Sequence, residues 1–318
     1  MGQWPENSAP LVSIICHCYN HEKFITDALD GFLMQKTNFP WEVIVHDDSS
    51  TDDSKSIIAK YAKQYPSLIR PILQKYNQYS QGRKPLSFSS RYARGNFVAF
   101  CEGDDYWTDP KKLEKQIEAM QSHEKCTLSF HAAIAIYADG SKAQRIKSDH
   151  GDSIRTFPLP DVIKGGGGWM PTASLIIHRS RLDEVVAFQK RYPLLPAGDI
   201  IIQTICSTHG ALYVPGAMSI YRVRTPGSWS DSMNDMDRRI AHRKNISFYY
   251  QGMLETITDS SIQKVLLQKY AKENLSFARK LMKKRRYKES VRFFGTGLLT
   301  KLKLLGLSVK IWNPGITG

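Results

Sequence analysis

The feature that most constrains the fold is an apolar stretch that breaks off into acid. Phe97-Val98-Ala99-Phe100-Cys101 reads as a buried strand and runs directly into Glu102-Gly103-Asp104-Asp105. A buried strand that ends this way delivers several carboxylates to the end of a sheet, where open α/β folds bind ligands. Carboxylates this close repel one another, so they coexist only in water, beside Lys or Arg, or around a cation. Hard oxygen donors suit Mg²⁺ or Mn²⁺, which commonly keep phosphates as co-ligands. A plainer reading, an acidic turn that caps the next helix, accounts for Thr108-Asp109-Pro110 ahead of Lys111-Lys112-Leu113-Glu114. It leaves Glu102 and Asp104, which precede that cap, unexplained.

The same step occurs earlier in the chain. Residues 11–18 form a strand that enters the polar turn Tyr19-Asn20, and Phe24, Ala28, Leu29, Phe32 and Leu33 follow at helical spacing. Trp41-Glu42-Val43-Ile44-Val45-His46 repeats the pattern, ends in Asp47-Asp48 and precedes a helix carrying Ile57, Ile58, Tyr61, Ala62 and Tyr65. A third strand around Ile69–Leu73, a loop through Asn77 and Gly82, a short helix around Leu86–Ala93 and the strand at 97–101 continue the alternation. This predicts an α/β chain with a Rossmann-like, doubly wound, mostly parallel sheet. Parallel order places Asp47/Asp48 and Glu102/Asp104/Asp105 on one edge, so that one cluster can bond a base or ribose while the other holds a metal on the diphosphate. No GxGxxG follows the first strand and no GxxxxGK[ST] occurs, which disfavours a dinucleotide site and a P-loop.

Charge and cysteines narrow the class. The 44 Lys+Arg against 30 Asp+Glu give +14, suited to a polyanionic partner: nucleic acid, an acidic membrane or a phosphorylated substrate. The excess gathers after about residue 238 and peaks at Lys283-Lys284-Arg285-Arg286, so it belongs to the C-terminal part. Five cysteines, most in apolar strand or helix patterns, read as reduced buried thiols. In Cys16-His17-Cys18, alternation sends the two thiols to one face and the imidazole to the other, which argues against zinc. A basic-then-apolar leader and a run of about 18 apolar residues are both missing. The expected location is cytoplasmic, with a peripheral place on the inner face of the membrane open to the basic helices that follow residue 283.

The ordered motifs carry a resemblance. Ser13-Ile14-Ile15 to Tyr19-Asn20, Glu42 through Asp52, and Glu102-Gly103-Asp104-Asp105-Tyr106-Trp107 through Gln116 together resemble the inverting glycosyltransferases of family 2, over roughly residues 11–230. The resemblance implies the GT-A fold, with residues 1–232 catalytic (a nucleotide-sugar half to about 125 and an acceptor half from 126) and 233–318 a C-terminal basic helical extension. It implies a nucleotide-sugar donor, a uridine-linked one by expectation, and a glycan or lipid-linked acceptor. The cofactor it implies is Mg²⁺ or Mn²⁺ held by Asp104, Glu102 and Asp105. The donor set it implies is Tyr19, Asn20, Glu22, Asp47, Asp48, Asn77, Arg94, Glu102, Gly103, Asp104, Arg222 and Arg224; the acceptor side is Trp169, Thr172 and Trp229. The family has a catalytic carboxylate at the start of a helix where Gly198-Asp199 opens Ile200-Ile201, which makes Asp199 the expected base, although an N-cap is the reading from local sequence alone. Asp104, Asp105 and His178 are the alternatives.

Other segments are less specific. Residues 126–139 read as a strand or hairpin arm and 140–164 as a polar, mobile insertion. The run Gly165–Gly168 permits close approach to a ligand or acts as a hinge, and Trp169 is either a sugar platform or a cover for the core. Residues 211–215 and 217–224 read as two strands. A nucleotidyltransferase on a similar sheet is the alternative function, but Cys16–Asn20 lacks the glycine-rich, basic turn it needs. A nucleic-acid module is disfavoured by acids at the ligand edge. A homo-oligomer is left open.

Overall fold

The structure, a computed structural model, describes residues 8–138, 145–195, 198–225 and 228–305, without the side chains of 229 and 230. The predicted alternation is present as β1 (Val12–Cys18), α1 (Ile25–Leu33), β2 (Trp41–Asp47), α2 (Ser54–Gln64), β3 (Ile69–Leu73), α3 (Leu86–Ser89), β4 (Phe97–Phe100), β5 (Tyr106–Trp107) and α4 (Lys112–Ser122). After it come β6 (Leu128–Tyr137), β7 (Arg145–Lys147), β8 (Arg155–Phe157), α5 (Leu159–Gly165), β9 (Ile176–His178), α6 (Arg179–Arg191), α7 (Asp199–Ile205) and β10 (Ala211–Val223). Four helices close the described chain: α8 (Trp229–Ser232), α9 (Met236–Thr256), α10 (Ser260–Lys283) and α11 (Tyr287–Leu304).

One sheet carries the strand order β3-β2-β1-β4-β9-β6-β10-β5, with β7 beside β6 and β8 beside β10. β3, β2, β1 and β4 are parallel. β9 runs against both β4 and β6, so β6 regains the common direction, and β10 follows it. The strands that oppose the majority are only two or three residues long. The sheet is therefore mostly parallel by length, and most of its carboxyl ends share an edge.

Both faces are covered, as the near-continuous apolar strands require. Val12, Ile14, Cys16, Val43 and Val45 pack with α1, α2 and α4 on one side. Ile15, Ile44, Val98, Phe100 and Phe130 pack with α5, α6, α7, α9 and α10 on the other. Alternation along β1 puts Cys16 and Cys18 in one core cluster, while His17 turns to Ser89 (2.9 Å). All five cysteines are buried, free thiols.

Two expectations change. The supposed mobile insertion contains β7, β8 and α5, whose three-residue strands are too short to show a period. The two strands at 211–224 are one, β10, whose register against β6 shifts between Tyr213 and Ser219. Pro215 and Gly216, the latter at φ 106°, make the irregularity that looks like a turn in the sequence.

Candidate active site

The loops after β1 and β2 are laced together at the carboxyl edge. Asn20, at φ 56°, accepts the Thr51 amide on Oδ1 (2.8 Å), and its own amide donates to Ser50 Oγ (3.0 Å). The Glu22 amide donates to Asp52 (3.0 Å), and the Asp53 amide donates to Glu22 (3.2 Å). Asp47 accepts the amide and hydroxyl of Ser50. Asp48 accepts the amides of Gln78 (2.7 Å) and Tyr79 (3.0 Å), and its carbonyl holds Asn77 Nδ2 (3.0 Å). The first acidic pair thus fixes the walls of the edge, with Tyr19 exposed beside it.

The loop after β4 packs closely under them. The Gly103 amide donates to the His17 carbonyl (2.9 Å), and a Cβ at Gly103 would come within 2.9 Å of His21 Nδ1. Only glycine lets the loop lie this close. No described donor is bonded to the Asp104 carboxylate. Asp105, by contrast, is buried and accepts the Arg222 amide (2.8 Å). Through that oxygen it braces β10, which leaves Asp104 the less encumbered of the two carboxylates.

The role expected of Arg222 is corrected. Its guanidinium donates to the Asp104 carbonyl (2.8 Å) and to Asp27, and lies between the rings of Tyr106 (4.5 Å) and Phe24 (4.9 Å). Buried and fully engaged, it clamps the acidic loop and is not available to a leaving diphosphate. Arg224 is exposed beyond it, with its guanidinium 5.7 Å from the Tyr137 ring centroid. Arg94 lies at the opposite, amino edge of the sheet, where it pairs with Glu42 (2.7 Å), and it leaves the donor set. His178 is at that edge too, against Phe97, and is no candidate base.

Asp199 reaches the carboxyl edge from the other half of the chain. Gly198, not Asp199, is the N-cap of α7, and the Asp199 carboxylate lies beside the Thr172 hydroxyl instead. Burial raises its proton affinity, opposed by Thr172 and by the charge of Lys147. Glu102 is pushed up to about 8, first by desolvation of its carboxyl and then by the charges of Asp104 and Asp199, although the residue as a whole is exposed. Tyr221 is raised to about 12 by burial and by Asp105, Asp199, Asp104 and Glu102. The acidic loop, Asp199 and Thr172 therefore lie within electrostatic reach of one another, as do Tyr221 and Lys147, neither of which the sequence marked. Asp27, which holds the Arg222 guanidinium against the acidic loop, was likewise unmarked.

One acceptor-side expectation falls elsewhere. Trp169 packs among Phe130 (5.4 Å), His150 (5.3 Å) and Phe157 (5.1 Å), and a Cβ on Gly165 would meet it at 2.5 Å. It covers the core, and the glycine run lets it do so. The Trp229 side chain lies outside the described residues.

The donor chemistry suits a hard divalent cation: the Asp104 carboxylate has no bonded donor among the described residues, and Glu102 stands close enough to feel its charge. Among the described residues no three His, Cys, Asp or Glu side chains converge on one point, so Asp104 and Glu102 fit an ion completed by diphosphate and water.

The family model for glycosyl transferase family 2 matches residues 13–180. An uncharacterized protein of Mycobacterium tuberculosis is 36% identical over 231 residues, 70% of this chain and 62% of that protein; the chain thus spans less than two thirds of this relative's length. Staphylococcus aureus TarS, a poly(ribitol-phosphate) beta-N-acetylglucosaminyltransferase, is 36% identical over 97 residues, 30% of this chain and 16% of TarS. Its residues 1–349, solved with UDP-GlcNAc, match in fold with a TM-score of 0.55 at 17% identity, covering 94% of this chain and 93% of that one. The mannosyltransferase PcManGT from Pyrobaculum calidifontis, solved with GDP-Man and Mn²⁺, gives a TM-score of 0.54 at 14% identity, over 96% and 78%.

Proposed function

The chain belongs to glycosyltransferase family 2 and has the GT-A fold, and from that premise we propose that it moves a sugar, with inversion, from a nucleotide-diphosphate donor to a glycan or lipid-linked acceptor. The donor class is UDP-sugar, the setting bacterial-type surface polysaccharide synthesis. The observation that carries this reading is that the acidic loop after β4 and Asp199 at the head of α7 lie within electrostatic reach of each other. Tyr19, Asn20, Glu22, Asp47, Asp48 and Asn77 frame the nucleoside side; Asp104 and Glu102 would hold Mg²⁺ or Mn²⁺. When bound, that ion supplies the positive charge the diphosphate needs as it leaves.

Asp199 takes the proton of the acceptor hydroxyl as its oxygen attacks the anomeric carbon opposite the departing nucleotide. Thr172 stands beside the carboxylate, and burial moves its proton affinity toward neutrality, where a base is most effective. The Arg222 clamp holds the loop beneath the donor.

The test is a panel of nucleotide sugars with Mn²⁺, followed for free nucleoside diphosphate. We expect release from one donor class and no pyrophosphate; pyrophosphate formation would instead mean nucleotidyl transfer. Asp199→Asn keeps the side chain's shape and its place beside Thr172 but cannot take a proton, so transfer falls by about a hundredfold or more while nucleotide affinity holds. A near-normal rate in that variant would make Asp199 a structural residue.

A peripheral membrane position also belongs to this reading. Among the described residues no helix is long and apolar enough to cross a membrane. α11 nevertheless leaves Tyr287, Val291, Phe294 and Leu298 exposed on one stripe, bordered by lysines.

A further inference from the structure

The transfer described above leaves two cations of the cleft unused. β7 runs against β6, pairing Lys147 with Ala133 and Arg145 with Ala135. The same two alanines pair on their other side with Ser219 and Tyr221 of β10. Alternation puts Arg145 and Lys147 on one face, and Ile146, 58% exposed, on the other. Only the methyl groups of Ala133 and Ala135 separate these side chains from β10, so Lys147 reaches across β6 and lays Nζ 4.4 Å from the Tyr221 ring centroid. Among the described residues neither Arg145 nor Lys147 forms an ion pair. Arg222 is already committed to Asp27 and the Asp104 carbonyl.

A half-buried ammonium that has only the more distant charges of Asp105 and Asp199 to offset it gains from an anion in direct contact. Lys147 lies within electrostatic reach of Asp199, the residue that must meet the acceptor hydroxyl, and Arg145 continues the positive row outward to solvent. We infer that β7 grips an oxyanion of the acceptor: the acceptor carries a phosphate group near its reacting hydroxyl, bound by Lys147 and Arg145. This rests on Asp199 being the base. The phosphate chemistry is common to the diphosphate of a lipid-linked sugar and to a polyol-phosphate chain.

The experiment fills the donor half with UDP and Mn²⁺ at saturation, then titrates geranyl diphosphate and sn-glycerol 3-phosphate calorimetrically, with geraniol and glycerol as neutral controls. One phosphate should bind where its alcohol does not; geranyl diphosphate alone points to the lipid-linked source, glycerol phosphate to the polymer. Arg145→Gln with Lys147→Met should weaken that binding roughly tenfold or more, Lys147→Arg should restore most of it, and UDP affinity should stay unchanged. Phosphate and alcohol binding equally, or wild-type affinity in the double variant, overturns the inference. So does a loss of UDP affinity in the double variant, which would assign the cations to the donor. Failure of the parent reading appears separately, as absence of nucleotide release from every sugar nucleotide, while the phosphate titration still reports on β7.

Discussion

Single side chains here are placed by neighbours far away in the chain, and Lys112 shows the consequence. In the sequence it belongs to a helix start; in the fold it is fully buried, with Nζ 3.8 Å from the Trp107 ring centroid. Burial pulls its pKa down to about 7, opposed by the charge of Cys101. An unfolded lysine titrates near ~10.4, so between about 7 and about 10.4 the unfolded chain holds more protons than the folded one, and stability rises with pH across that window. Below it both states are charged and the burial cost is felt in full. Lys112→Met should therefore be more stable than the wild type at neutral pH, and the gap should narrow toward pH ~10. Denaturant titrations of both proteins at several alkaline pH values measure this; a gap independent of pH would mean that Lys112 titrates normally. Such assignments were illegible in the sequence for a plain reason. Asp104 and Asp199 could be picked out because their motifs are local, whereas what engages Arg222 lies 195 residues away at Asp27 and 117 away at Asp105.

Elements were legible wherever their period had room to show. β1, β2 and β4 carry largely apolar runs bounded by polar turns, and they and β3 each lie within a residue or two of the expected place. β7 and β8 were lost because three residues cannot display alternation, and β10 was cut in two by Pro215-Gly216. Arg94 was misplaced because nothing local tells which end of a sheet a loop occupies. It leads into β4, and at that amino edge Ser13 Oγ donates to Glu42 (2.7 Å) while accepting the amides of Arg94 (3.0 Å) and Gly95 (2.8 Å). Gly95 is the tight point of this junction. A Cβ there would lie 2.6 Å from the Ser13 nitrogen and 2.8 Å from the Leu11 carbonyl oxygen, both backbone atoms that no rotamer change can move aside. Gly95→Ala should cost about 1–3 kcal/mol of stability. Activity per folded molecule should be unaffected, because the cleft is at the other edge. An unchanged denaturation midpoint would show that the β1–β4 pair can slide to admit a methyl group.

At the scale of the whole molecule, the C-terminal helices divide by what they bury. α9 and α10 join the main core through Ile246, Tyr249, Tyr250, Met253, Leu266 and Tyr270, and Gly252 lets α9 sit against Phe188 and Tyr192 of α6. α11 packs on α10 through Phe293, against Ala278 and Leu281, with Gly297 against Leu275 and the Ser290 hydroxyl on the Ala278 carbonyl (2.8 Å). Its opposite stripe is exposed: Val291 66%, Phe294 53% and Leu298 45%. Between Met282 and Leu305 stand eight Lys or Arg against the single acid Glu289, which is paired with Arg286. An apolar stripe edged by cations complements an anionic bilayer, to which each basic residue near the surface adds about 1 kcal/mol and each buried apolar group adds area. Removing α11 would uncover Phe293 and α10, so the informative change is at the surface. Val291→Ser with Phe294→Ser and Leu298→Ser should leave thermal stability near wild type, yet abolish most co-sedimentation with phosphatidylglycerol vesicles at low salt. Binding of the wild type should also fall with added salt and be weak on phosphatidylcholine. If the triple variant sediments as well as the wild type, the stripe is not the contact; a variant that leaves vesicles while still turning over a soluble acceptor would show that the membrane serves to bring the acceptor to the cleft.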